Sequence, residues 1–144
     1  MQKNNNSVLF LTSMPVLFLV FNRMKTTKLV FEKIKQARPP RIYIGSDGPR
    51  DLVLDEDEKV KEIREYLITN IDWECEVYTK FNDSNEGCKK AVSNAINWFF
   101  DNEKMGIVLE DDCLPSNSFF RFCEDLLYKY EQDERIFLIT GYNK

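Results

Sequence analysis

Residues 16–21 (VLFLVF) are six apolar side chains in a row, and this run constrains the fold more than any other feature of the chain. A strand with one wet face alternates apolar and polar residues, whereas a strand covered on both faces reads as a continuous apolar run. Helices should therefore lie on either side of it. Asn22-Arg23 breaks the run, and residues 24–37 set Leu29, Val30, Ile34 and Ala37 against lysines, a helix ended before Pro39-Pro40. Residues 41–45 (RIYIG) form a second strand closed by the turn Ser46-Asp47-Gly48-Pro49. Asp55 to Glu58 open a second helix carrying Val60, Ile63 and Leu67, its acidic first turn complementing the helix dipole.

The alternation continues along the chain. Residues 73–81 (WECEVYTKF) predict a strand with one wetter face, near a sheet edge. A third helix carries Ala91, Val92, Ala95, Ile96, Phe99 and Phe100, and residues 106–109 (GIVL) are a fourth strand. Pro115-Ser116 offers a helix start, with Phe119, Phe122, Cys123, Leu126, Leu127 and Tyr130 as the buried stripe. Residues 135–140 (RIFLIT) read as a fifth strand, followed by Gly141-Tyr142-Asn143. Five strands alternating with four helices predict an α/β domain: a mainly parallel, Rossmann-like sheet of about five strands with helices on both faces. At 144 residues, without repeat or linker, the chain fits one domain over 15–144, preceded by a leader of uncertain structure over 1–14 in which residues 8–11 offer an extra apolar contact.

Several functions are excluded by what is absent. There is no histidine, which removes Ser-His-Asp and Cys-His catalysis and the HExxH zinc motif. No Gly-x-Gly-x-x-Gly or Gly-Lys-Ser/Thr phosphate loop occurs. A calcium loop starting at Asp55 would place Val60 where glycine is required and Tyr66 where glutamate is required. The formal charge of −4 argues against a nucleic-acid partner. Cys75, Cys88, Cys113 and Cys123 match no zinc spacing and read as reduced, mostly buried small hydrophobes. Residues 8–21 are too short for a membrane span, are interrupted by Thr12, Ser13 and Pro15, and lack a cleavage site. No transmembrane segment is expected, and the free cysteines favour a cytoplasmic location, with peripheral membrane association left open.

In an open parallel sheet, ligands bind beyond the carboxyl ends of the strands. Those ends carry Asn22 and Arg23, Ser46 and Asp47, Asn82 and Asp83, Glu110-Asp111-Asp112, and Tyr142 and Asn143. Three adjacent carboxylates repel one another unless solvated, hydrogen-bonded or neutralised by a cation. A hard divalent ion, Mg²⁺ or Mn²⁺, bridging to substrate phosphates is one solution; a solvated loop in which Asp111 or Asp112 caps the next turn is the other. Arg23 suits a phosphate or base, and Asp47 a base N–H, unless they are a surface arginine and a turn aspartate. Lys89 and Lys90 open the third helix, where the dipole prefers anions; a diphosphate nearby would account for them, as would plain solvation.

In this order, residues 16–23 (VLFLVFNR), Ser46-Asp47-Gly48, Asn85-x-Gly87-Cys88-Lys89 and residues 109–115 (LEDDCLP) together resemble the amino-terminal half of a glycosyltransferase with the A-type fold, of the bacterial family 2-like kind. The resemblance covers residues 15 to 143 and includes a Glu-Asp-Asp form of the family's Asp-x-Asp motif. It implies a nucleotide-diphosphate sugar donor, with Mn²⁺ or Mg²⁺ on its diphosphate and a saccharide or glycoconjugate acceptor. By that resemblance Asp112 is the metal ligand, and Glu110 and Asp111 hold ribose, sugar or metal-bound water. Asp47 reads the base, expected to be uracil, and Arg23 lies against base or diphosphate.

The family's general base lies further downstream than this chain runs, so no catalytic residue is identified and the acceptor half is expected to be absent. Glu124 and Asp125, on the fourth helix, are not promoted to that role. Two readings follow: a glycosyltransferase or its donor-binding half, and a non-catalytic nucleotide-sugar-binding module completed by a partner chain. A phosphotransfer receiver is disfavoured, because it needs an acidic pair where Asn22-Arg23 stands. Self-association through exposed apolar surface is a further expectation.

Overall fold

The computed structural model describes residues 10–141. Four strands, β1 (Val16–Val20), β2 (Arg41–Ser46), β3 (Glu76–Phe81) and β4 (Ile107–Glu110), alternate with four helices, α1 (Met24–Ala37), α2 (Glu56–Asn70), α3 (Cys88–Asn102) and α4 (Phe119–Tyr130). The sheet is wholly parallel, in the order β3-β2-β1-β4. β1 is the strand the apolar run foretells: Val16 pairs with Ile42 on one side and Ile107 on the other, and all five of its residues are buried.

Each face of the sheet has its own core. Val16, Phe18 and Val20 face Val30, Phe31 and Ile34 of α1, Ile63 and Leu67 of α2, and Phe120 and Cys123 of α4. Leu17, Leu19 and Tyr43 face Ala95 and Phe99 of α3. Right-handed crossovers explain the division. The sheet grows from β1 to β3 with its crossover helices on one face, then returns past β1 to β4, so the third crossover falls on the other. α3 covers its face alone, and β3 forms an edge of the sheet, as the sequence predicts, although Glu76 to Thr79 are all exposed and do not alternate between a buried and a wet face.

Thr12 and Met14 of the leader are buried; the Thr12 N–H donates to the Ala37 carbonyl at 2.8 Å. The Glu124 carboxylate anchors this segment, accepting from Thr12 Oγ1 at 2.6 Å, the Ser13 N–H at 2.8 Å and Ser13 Oγ at 2.9 Å. Glu124 thus serves the amino end of the sheet. At the same end Glu103 accepts from Arg41 and from the Tyr43 hydroxyl, and the Tyr43 phenol is pushed up to about 12, by burial first and by Glu103 second. Residues 8 and 9 of the expected apolar contact lie outside the described residues; Phe10 packs on the core and Leu11 is exposed.

Four expectations need correction. The fifth strand does not form: among the described residues the sheet has four strands, not five, and β1 is the strand that pairs with β4 in it. A strand exists only where a neighbour's backbone pairs with it. Here the Ile136 N–H turns back to the Asp133 carbonyl at 3.0 Å, and Ile136 and Ile139 line a surface hollow with Phe100, Met105 and Leu127 while Phe137 stays 96% exposed. Tyr142 and Asn143 lie outside the described residues. The third strand starts at Glu76, three residues late, because Trp73 leaves the ladder to donate from Nε1 to the Pro39 carbonyl at 2.9 Å.

Helix faces are rotated at three places, each set by two apolar residues one or two positions apart. Phe31, Phe99 and Phe120 point inward, while Leu29, Phe100 and Phe122 are half exposed. Adjacent residues on a helix diverge by a quarter-turn or more, so the apolar character of both does not say which one is central. Finally, the cysteines are unpaired but not mostly buried: only Cys123 is, with its thiol pushed up to about 11 by burial, and Cys88 and Cys113 are exposed.

The Phe99/Phe100 doublet gives a direct test. Phe99→Ala should cost about 3–5 kcal/mol in chemical denaturation, as a fully buried phenylalanine does, and Phe100→Ala less than half as much. Equal losses would contradict the inward placement of Phe99.

Candidate functional site

The reversal of strand order at β1, between β2 on one side and β4 on the other, opens a crevice at the carboxyl ends of the strands. There the structure has a cleft of about 310 Å³, at the lower end of the range for ligand pockets. Its inner end is apolar, formed by Leu19, Val20 and Gly45 of the sheet and Ala91, Val92 and Ala95 of α3. Gly45 is required by close packing: a Cβ there would meet Ala95 Cβ and Leu19 Cδ2 at 3.0 Å. The mouth is polar and draws on all four strand ends, with Arg23 after β1, Asp47 and Arg50 after β2, Asn82 and Asn85 after β3, and Glu110, Asp111 and Asp112 at the end of β4.

Asp47 is the anchor of one wall. Its Oδ1 accepts the Gly48 N–H at 2.9 Å, the Glu86 N–H at 2.9 Å and Asn82 Nδ2 at 3.1 Å, and its Oδ2 accepts the Gly87 N–H at 3.1 Å. These bonds fold residues 82–87 back onto the β2 turn and set the start of α3. The approach is so close that a Cβ on Gly48 would lie 2.4–2.6 Å from the Ser84 backbone. Arg64 of α2 seals the same corner from below, its Nη2 donating to the Asp47 carbonyl at 2.9 Å and the Asn82 carbonyl at 2.8 Å. Burial lowers the Arg64 pKa, with Asp83 and Asp47 opposing.

The opposite rim is acidic. Asp111 is buried, and its Oδ2 accepts the Phe21 N–H at 3.2 Å. Burial pushes its carboxyl above the ordinary range, against the Phe21 N–H and Arg23. Asp112 is half exposed and takes a hydrogen bond from Arg23 Nη1, which also stands 3.8 Å from Asp111 Oδ1. Glu110 is exposed. The charge repulsion foreseen in the sequence is thus met by a guanidinium placed against two of the three carboxylates.

Among the described residues no three carboxylate or thiol groups converge into a cage for a metal ion. The position facing Asp111 and Asp112 nevertheless accommodates positive charge, as Arg23 demonstrates. A hard divalent ion held by Asp112 beside Asp111 fits this donor set when water and ligand phosphate supply its other oxygens, the usual manner for Mg²⁺.

Of the six residues named from the sequence, Arg23, Asp47, Glu110, Asp111 and Asp112 line the cleft together, and Lys89 does not. Lys89 faces a shallow hollow on the outer side of α3 with Lys90 and Ser93. Arg50, Lys80 and Glu56 were missed. Glu56, the first residue of α2, is 1% exposed and joins two strand ends. It accepts from Asn22 Nδ2 at 2.8 Å, the Arg50 N–H at 2.7 Å and Arg50 Nη2 at 2.5 Å. The signal for Arg50 was its place just beyond the Gly48-Pro49 turn; Glu56 was hidden in an acidic run whose other members are exposed.

Arg50 foremost holds the Glu56 carboxyl down at about 2, against an ordinary 4.5. A depressed carboxylate adds stability that is complete above its unfolded value and is lost as pH falls toward the folded one. Wild type should therefore melt above Glu56→Gln at pH 7, and the gap should close between about pH 4.5 and 2. A gap that is constant across this window in thermal melts would exclude Glu56 as a charged anchor. The sequence matches no protein-family model, and no curated protein and no solved structure gives a match.

Proposed function

We propose that this cleft binds a nucleotide-diphosphate sugar and that the chain acts as a glycosyltransferase, or as the donor-binding half of one. The observation that carries the reading is the convergence of Arg23, Asp47 and the Glu110–Asp112 triplet, from three strand ends, on one cleft at the reversal point of a parallel sheet. The apolar inner end suits the flat face of a base, for which uracil remains the expectation. Asp47 Oδ1 is filled by three donors, so Oδ2, with one, is the oxygen left to accept a base N–H. Arg23 lies against the base or the diphosphate, and Glu110 and Asp111 against ribose or sugar. Asp112 is the carboxylate that would hold Mn²⁺ or Mg²⁺. Such an ion, when bound, neutralises charge developing on the departing nucleoside diphosphate. Lys89 is given no contact, and no residue of the cleft is assigned as general base for the saccharide or glycoconjugate acceptor.

The second reading is a non-catalytic nucleotide-sugar-binding module completed by a partner chain. It is favoured by the engagement of three of the four cleft carboxylates in internal contacts. Sugar transfer or donor hydrolysis by the purified chain separates the two readings. A cytoplasmic location stays part of the proposal; no helix among the described residues is long and apolar enough to cross a membrane.

Thermal unfolding with UDP, GDP, CDP and ADP, each with and without Mn²⁺, tests nucleotide binding. A ligand at 100 times its dissociation constant adds about 2.7 kcal/mol, several degrees for a domain of this size. The expected result is a shift with UDP that requires Mn²⁺ and disappears in Asp112→Asn; no shift with any nucleotide would overturn the reading. We also propose that the apolar surface of Phe122, Phe137 and Leu138 drives self-association. Light scattering should then show mass rising with concentration, and Phe137→Ser should suppress the rise.

A further inference from the structure

We infer that Arg50 and Lys80 form a phosphate-binding wall of the cleft that contacts ligand phosphate directly. The inference rests on the proposed nucleotide reading for the source of the phosphate, and goes beyond it in assigning two residues that neither motif nor resemblance had singled out.

The argument begins with Glu56. A buried carboxylate is costly unless it is paired and hydrogen-bonded. This one is held mainly by one side chain at the cleft mouth, Arg50, with Asn22 as its second partner. Its oxygens accept Arg50 Nε at 3.0 Å, Arg50 Nη2 at 2.5 Å and the Arg50 N–H at 2.7 Å, while Asn22 Nδ2 donates from the other side at 2.8 Å. One edge of the guanidinium is therefore docked. Nη1 has no hydrogen bond among the described residues, and the Phe21 ring lies 5.8 Å from the guanidinium carbon. An arginine free in solvent samples many rotamers, and ordering it costs binding energy; here that ordering is done in advance. Because the docked edge faces protein and the side chain is still half exposed on the cleft, the remaining N–H groups are available to an anion.

Lys80 supplies the uncompensated charge. It stands opposite Gly45 in the β2–β3 register, beside the one strand position with no side chain, and lines the cleft. It makes no ion pair among the described residues, whereas the third cleft cation, Arg23, is committed to Asp111 and Asp112. Asp47, the cleft-lining carboxylate that follows β2, has its charge met by four N–H donors. The cleft is thus divided: an acidic rim partly offset by Arg23 on the β4 side, and a basic wall, preorganised at Arg50 and unpaired at Lys80 among the described residues, on the β2–β3 side. A phosphate bridging Arg50 Nη1 and the Lys80 ammonium gains two charge-assisted hydrogen bonds without displacing any internal pair.

The test is calorimetric titration with inorganic pyrophosphate in chelator-containing buffer and, separately, with uridine and with UDP, GDP, CDP and ADP in buffer containing Mn²⁺. Pyrophosphate should bind the wild-type chain. Lys80→Ala and Arg50→Ala should each weaken it roughly tenfold or more, Lys80→Arg should restore most of the loss, and Lys89→Ala should change nothing. Lys80 lies on an edge strand, so its substitution keeps the test decisive even where Arg50→Ala loosens the Glu56 anchor; melting curves identify that case. Absence of pyrophosphate binding without metal, or binding indifferent to Lys80→Ala, would overturn the inference. UDP binding that persists unchanged in both alanine variants would overturn it while leaving the nucleotide reading intact. Pyrophosphate binding that depends on both residues, with no response to any nucleoside diphosphate, would uphold the wall and remove the nucleotide reading.

Discussion

The structure depends on keeping β1 out of water on every side. Its backbone is paired to β2 and β4, and its side chains are sealed alternately by α1, α2 and α4 on one face and by α3 on the other. A strand without polar side chains has no other stable setting. Once β1 is central, strands must be added on both of its sides, and the return past it to β4 reverses the direction in which the sheet grows. The cleft is the gap left by that reversal. Its position beside Phe21 and Asp111 follows from burying five apolar residues, before any ligand is considered.

This logic explains why so much of the fold can be read in the sequence. Strands β1, β2 and β4 are continuous apolar runs bounded by turn residues, and no helical pattern competes with them. The stop of α1 is equally explicit: Arg38 takes a left-handed conformation, φ 47°, and its N–H returns to the Ile34 carbonyl just before Pro39. Residues 135–140 show the opposite case. They have strand composition, yet composition records only that a segment can pair; here the Ile136 N–H bonds to the Asp133 carbonyl in a turn, and the segment does not enter the sheet. The aromatic doublets fail for a different reason. At the border of a helix face the hydrophobic pattern is degenerate, and tertiary packing decides which ring turns inward.

The site divides in a similar way. Strand ends are places, so listing the polar residues there brought Arg23, Asp47, Glu110, Asp111 and Asp112 together correctly. Lys89 was nominated by a general property of helix starts, which says nothing about which side of the helix a residue takes. Glu56 and Arg64 could not be recognised because their roles come from burial, and each sits in a charged stretch that reads as a solvated face. Composition alone cannot separate the one buried carboxylate of α2 from its exposed neighbours Asp57 and Glu58.

The Asp47 contacts have one more consequence. The N–H groups of Glu86 and Gly87 belong to a loop, yet both are bonded to a carboxylate rooted at the end of a central strand. Their exchange with solvent deuterium is therefore governed by opening of the β2 turn, and not by local loop motion. The loop, the turn and the first turn of α3 behave as one mechanical piece. Slow exchange at two loop amides would mark the cleft as rigid before a ligand arrives, and substitution of Asp47 would reach any ligand first through the shape of the wall.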